Sequence, residues 1–143
     1  MPLKELKIFL VALCLLFSSL AEAREITLFD REGTAIAYID TGEDMTIFLW
    51  NGSPVAYLEK SSIYGFNGKH LGWFKDGIVR DRQGNGVGFI EGAVNKLTKL
   101  EPLKSLQKLT PLRSLQELEP LEPMFRDSWS RIPLDLFLLQ GAK

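Results

Sequence analysis

The chain has 143 residues, 17 basic against 18 acidic side chains, one cysteine and one histidine. That length holds one small domain and not two ordinary ones, and a formal net charge of −1 excludes a surface built to neutralise a nucleic-acid backbone. The one imidazole, His70, has no second histidine to join it and no cysteine once an N-terminal signal carrying Cys14 is cut away, which argues against zinc and against a Ser/His or Cys/His nucleophile pair.

Reading from the N-terminus, Lys4 and Lys7 precede the apolar run Ile8 to Phe17, followed by Ser18-Ser19-Leu20 and Ala21-Glu22-Ala23. This is the order of a secretory signal ending in a small-x-small cleavage site, so residues 1–23 are read as a signal peptide cut after Ala23. The alternative is a retained anchor, but the apolar run covers ten residues where a spanning helix needs about 20. Leu13 stands before Cys14, where a lipid-modified cysteine needs a small residue, so lipidation is not expected. The mature chain is predicted to be periplasmic or secreted, without a transmembrane segment. Lacking any cysteine, it must derive its stability from packing.

Residues 26–91 repeat one formula four times. An apolar stretch meets an Asp or Asn that opens a turn to Gly; a branched aliphatic, a small residue, an aromatic, an apolar residue and a charge follow. The units end in Ile36-Ala37-Tyr38-Ile39-Asp40, Val55-Ala56-Tyr57-Leu58-Glu59, Leu71-Gly72-Trp73-Phe74-Lys75 and Val87-Gly88-Phe89-Ile90-Glu91. Each unit reads as a β-hairpin. Asn51-Gly52 and Asn67-Gly68 carry the signature of a two-residue type I′ turn, whereas Asp30 to Gly33 and Asp81 to Gly84 suit a longer loop. Ala37, Ala56, Gly72 and Gly88 share one position, and a repeated Cβ-poor residue there predicts a close approach of backbones. A lone hairpin is marginal in water. The expected fold is therefore all-β, with four hairpins in a closed, pseudo-four-fold arrangement.

The runs Ile47-Phe48-Leu49-Trp50-Asn51-Gly52-Ser53-Pro54-Val55-Ala56-Tyr57-Leu58 and Ile63-Tyr64-Gly65-Phe66-Asn67-Gly68-Lys69-His70-Leu71-Gly72-Trp73-Phe74 resemble the signature of the bacterial 4-fold beta flower proteins. The resemblance covers about residues 26–92. It implies four β-hairpins around a central axis and brings no catalytic residues with it.

Beyond this 24–94 domain, residues 95–124 form a tail in which leucine recurs at every third position from Leu97 to Leu121, with Met124 continuing the series, and Pro102, Pro111 and Pro120 recur every nine. On an α-helix each step of three drifts by about 60°, and on a strand the leucines would alternate faces. A polyproline II helix has three residues per turn and would gather every leucine on one stripe; short α-helices opened by proline are the alternative. Either form leaves the leucines needing cover by the flower, by another copy or by an envelope protein. The apolar end, residues 125–143, reads as a docking segment or a terminal helix on the core.

Chemistry is sparse. Asp40, Glu59, Lys75 and Glu91 end the four repeats and would share a rim, where three carboxylates near a lysine could bind a cation or a sugar, or act as an acid/base pair in glycan hydrolysis. Trp50, Tyr57 and Trp73, with Tyr64, Phe66 and Phe74, could line a binding platform or fill the core. The acidic turn Asp40, Glu43, Asp44 lacks the spacing of a calcium loop. No catalytic, cofactor or metal site is predicted. The expected function is that of an exported non-enzymatic structural or protein-binding module, with a glycan-binding or glycan-hydrolysing envelope protein as the alternative.

Overall fold

The four repeats form eight strands: β1 (Glu25–Phe29), β2 (Ala35–Asp40), β3 (Thr46–Leu49), β4 (Pro54–Glu59), β5 (Ser62–Gly65), β6 (His70–Lys75), β7 (Ile78–Arg80) and β8 (Gly86–Phe89). In the computed structural model, which describes residues 2–8, 10–11 and 24–142, they close in sequence order into an antiparallel barrel. Closure is made by Phe29 of β1 opposite Phe89 of β8. Residues 3–8 and 10–11 are helical, while Cys14 and the expected cleavage position at Ala23 lie outside the described residues. Among the described residues no helix is long and apolar enough to cross a membrane.

The four-fold repetition extends to irregularities. The register slips at Leu28/Phe29, Ile47/Phe48, Ile63/Tyr64 and Val79/Arg80, the same place in each hairpin. A bulge bends its strand and increases the local twist, which allows strands of three to six residues to curl into a closed wall.

The hairpin turns differ from the expected mixture of I′ turns and longer loops, because all four are alike. Asp30, Leu49, Gly65 and Asp81 each donate their N–H to the carbonyl four residues on and accept one from the glycine three residues on. In each loop the glycine alone adopts positive φ, at 80° to 89° for Gly33, Gly52, Gly68 and Gly84, giving a three-residue loop of a type I turn closed by a left-handed glycine. Asn51 and Asn67 keep negative φ and use Oδ1 to accept the N–H of Ser53 and Lys69. In the other two loops Asp30 and Asp81 serve the same groups from the first turn position, each Oδ1 accepting two N–H groups. Both side chains thus satisfy the same backbone. Two successive positive φ values occur instead in connections between hairpins, at Asp44 and Met45 (51° and 59°) before β3 and at Asp76 and Gly77 (52° and 76°) between β6 and β7.

Inside the wall Leu28, Ala37, Ile39, Ile47, Ala56, Ile63 and Val79 are fully buried. They share their cluster with the C-terminal helix Leu134–Leu139, which contributes Leu134, Phe137 and Leu138. That i, i+3, i+4 spacing is one apolar helix face, opened by Pro133 with Asp135 in the first turn, where a negative charge suits the helix dipole. Within the terminal segment, therefore, the helix packs against the barrel's core. The repeated small residues explain how it fits. A Cβ on Gly72 would lie 3.1 Å from Phe137 Cζ and collide with the Arg80 carbonyl; one on Gly88 would lie 2.8 Å from both Leu134 Cδ2 and the Phe29 carbonyl oxygen. The close approach predicted there involves neighbouring backbone and the helix together. Burying each of the three helix side chains is worth about 1.5–3 kcal/mol, a substantial gain for a barrel with so small a core.

Gly88→Val should consequently destabilise the protein by about 1–3 kcal/mol through overpacking, whereas Lys75→Ala, which removes a surface ion pair, should cost under about 1 kcal/mol. Urea unfolding of the two variants checks this, and equal small effects would contradict the packing described.

Candidate functional site

Residues 97–126 contain no helix or strand before the final turn into the C-terminal segment, so their backbone polar groups must find partners elsewhere. Six do so on the barrel. The N–H groups of Lys99, Lys108, Glu117 and Arg126 donate to the carbonyls of Gly33, Gly52, Gly68 and Gly84 at 2.8–3.0 Å, and those of Ser105 and Ser114 to Trp50 and Phe66. Successive glycine contacts are nine residues apart, and each falls on the next hairpin around the closed wall. The nine-residue period of the prolines is thus the barrel's four-fold symmetry written into the tail, which forms a belt.

All six donors occupy one phase of the three-residue repeat. The other residues of that phase are Pro102, Pro111, Pro120 and Pro123, which have no N–H. A donor turned toward the wall without an acceptor would cost roughly 1–3 kcal/mol; proline removes the donor. The turn glycines meet a second demand here: besides their positive φ, a Cβ on any of them would strike the carbonyl oxygen of Leu97, Leu106, Leu115 or Met124.

The next phase faces the wall's aromatic side. Lys104 pairs with Glu25 and lies over the Tyr38 and Trp50 rings at 4.5 and 5.3 Å. Nine residues on, Arg113 lies 3.7 Å over Tyr57 and donates to the Asp44 carbonyl. A further nine on, Glu122 pairs with Lys75 at 2.7 Å. There the cation and ring change sides, with barrel Arg80 over belt Phe125 at 5.1 Å. Gln107 and Gln116, also nine apart, donate to Asp40 Oδ2 and the Tyr57 hydroxyl. The Trp50 indole donates to Pro102 O, Tyr64 to Glu117 O, and the Trp73 indole to Glu119 Oε1.

The third phase is leucine. Leu97, Leu100, Leu103, Leu106, Leu109, Leu112, Leu115, Leu118 and Leu121 are 93–99% exposed and Met124 is 89% exposed. Cover by the flower, one of the expectations from sequence, is not what forms: the barrel holds the belt's backbone and leaves these side chains bare. Because the belt is tied to all four hairpins, the result is an apolar girdle around the barrel.

The predicted site residues are otherwise engaged. Asp40 is buried, accepting from Gln107 and from the Gly42 N–H; Lys75 is bonded to Glu122; Glu59 and Glu91 are exposed. These four positions stand at one end of the barrel, one per hairpin, yet among the described residues no three His, Cys, Asp or Glu side chains come close enough to hold a metal. Tyr57, Tyr64, Phe66 and Trp73 are buried and Trp50 is half-buried, so the aromatics are wall packing under the belt and not an open platform. Lys104, Gln107, Arg113 and Gln116 were missed from the sequence, although their recurrence at nine-residue intervals was its visible trace.

His70 lies under the belt. Its ring is buried, with Nε2 on Ser62 Oγ at 3.1 Å, Nδ1 without a partner, and edge contacts to Tyr64 and Trp73; the backbone N–H of His70 donates to Glu117 Oε1. Burial holds the imidazole below the usual histidine range, with the Glu119 charge opposing and that of Arg82 adding. Hydrogen bonds from Ser62 and then Trp73 hold the Glu119 carboxyl below its usual range.

The sequence model of the 4-fold beta flower proteins matches residues 26–138, so the similarity extends beyond the hairpins through the belt into the C-terminal helix. No curated protein and no solved structure matches the chain.

Two outcomes follow from the belt geometry. Gly52→Ala should cost about 1–3 kcal/mol and remove hydrogen-exchange protection from the Ser105 and Lys108 amides before that of the strands; unchanged protection would contradict the double role of the turn glycine. For His70, unfolded imidazole takes up a proton near pH 6.5 while the folded ring resists it. Its stabilising contribution is therefore complete above about pH 6.5 and declines as pH falls toward the lowered folded value. The wild-type melting temperature should drop more between pH 7 and pH 5 than that of His70→Gln, and parallel curves would refute the assignment.

Proposed function

Because the chain belongs to the 4-fold beta flower proteins and its belt turns a ring of bare leucines outward, we propose that it is an exported, non-enzymatic docking module. The exposure of the leucines carries this reading. An isolated soluble domain gains by burying such side chains, each worth about 1.5–3 kcal/mol, and rarely displays an apolar patch beyond a few hundred Å². Here the same segment is fixed by its backbone to a rigid barrel, so the leucines are displayed at set intervals. A partner meets a preorganised surface and loses little ordering entropy.

Export is supported by Lys4 and Lys7, the apolar run Ile8 to Phe17 and Ala21-Glu22-Ala23, an arrangement of the secretory kind. The partner is either an envelope protein or a further copy. The glycan alternative has less support: Asp40 and Lys75 are already bonded to the belt, and Tyr57 and Trp73 lie buried beneath it.

A photo-crosslinking residue placed at Leu106 or Leu115 in living cells tests both parts, with Arg82 on an exposed hairpin tip as control. Protein recovered outside the cytoplasm should begin at Arg24 and yield crosslinked adducts from the girdle positions in excess over Arg82. An intact Met1 on cytoplasmic protein would refute export. Equal or absent adducts would refute docking through the girdle.

A further inference from the structure

We infer that the girdle is covered by further copies of this chain, set side by side so that the belt of each meets the belts of several neighbours. This rests on the docking reading above and names its partner.

Three observations support self-association. First, the girdle presents the same surface repeatedly. Each nine-residue step carries three leucines past one hairpin to the next, so any arc resembles any other, and two arcs can meet about a two-fold axis as an isologous contact.

Second, the arcs carry little charge to oppose an identical arc. Lys99, Lys104, Lys108, Arg113, Glu117, Glu119 and Glu122 are bonded to the barrel, which leaves the side chains of Glu101 near one end of the belt and Arg126 at the other as its exposed charges without a barrel partner among the described residues. An apolar arc whose ionic groups are mostly held by the barrel meets its own copy with little like-charge repulsion.

Third, the area favours several contacts over one. Burying a leucine side chain removes roughly 60–120 Å² of apolar surface from water. Three leucines against three then bury roughly 360–720 Å², below the roughly 1,200 Å² of a stable interface, whereas ten side chains with their counterparts reach about 1,200–2,400 Å². A stable assembly therefore needs several arcs occupied at once, and the predicted product is a higher oligomer and not an isolated dimer.

A bilayer is the competing cover. Charged residues stand on both sides of the belt, with Arg31, Glu32, Lys69 and Arg82 exposed on the hairpin tips and Glu43, Asp44, Lys60 and Asp76 exposed on the opposite turns. Taking the whole girdle into lipid would bury one charged end of the barrel, at a cost no leucine offsets, so lipid could cover only an arc.

Sedimentation velocity of the mature full-length protein over a hundred-fold concentration range is the test. It should pass from monomer to species larger than dimer. The Leu103→Ser, Leu106→Ser, Leu109→Ser, Leu112→Ser variant, with its β-sheet circular dichroism unchanged, should stay smaller at every concentration. Wild-type protein that remains monomeric overturns self-association, and flotation of that monomer with phosphatidylcholine vesicles assigns the girdle to lipid. A monomer that crosslinks in cells to a different protein overturns this inference and leaves the docking reading standing. A variant that assembles like the wild type overturns both.

Discussion

The arrangement depends on four backbone hydrogen bonds, from Lys99, Lys108, Glu117 and Arg126 to the carbonyls of Gly33, Gly52, Gly68 and Gly84. A hairpin turn normally leaves its carbonyl to water. Here each tip offers that acceptor to a passing chain, and a glycine lets the chain approach where any Cβ would strike it. Individually such bonds contribute about 0.5–1.5 kcal/mol. Their importance lies in phase: once four carbonyls stand at equal intervals around a closed wall, the belt must repeat every nine residues, and its three sides acquire separate duties.

Those duties account for the composition of the tail. The side facing the turns consists of hydrogen-bond donors and prolines, because a buried donor without a partner is costly. The side facing the wall carries lysine, arginine and glutamine against Tyr38, Trp50 and Tyr57, where cation and ring attract. The side chains of the remaining phase turn away from the barrel, so its uniform leucine has no explanation within a single copy. The C-terminal helix then packs beside Gly72 and Gly88, adding Phe137 and Leu134 to a core the hairpins alone fill sparsely.

Much of the barrel was legible in the sequence because the repeat is exact in the features that matter: aromatic, small and branched positions recur in step, and alternation assigns them to faces. The turns were misjudged because Asp30 and Asn51 satisfy the same loop from different positions, so equivalent geometry carries dissimilar letters. In the tail the three-residue and nine-residue periods were both apparent, but neither reveals its partner, since the acceptors lie 42 to 66 residues earlier in the sequence. Asp40 and Lys75 read as rim charges available for chemistry; they are anchors for Gln107 and Glu122. A long-range contact between polar side chains leaves no local pattern to read.

The phase relation also restricts how this sequence can change over time. Ordinary surface loops accept insertions and deletions readily. In the belt, loss of one residue before Leu100 would shift every later position by one phase, bringing leucines against the turn carbonyls, prolines against the aromatic wall and the lysine, arginine and glutamine side chains to the outside. A change of three would restore the leucines but carry Lys108 away from Gly52. Only steps of nine keep both in place, and the number of steps is set by the number of hairpins. The tail is therefore locked to a reading frame of its own, and a family built this way should vary the letters of its belt far more freely than its length.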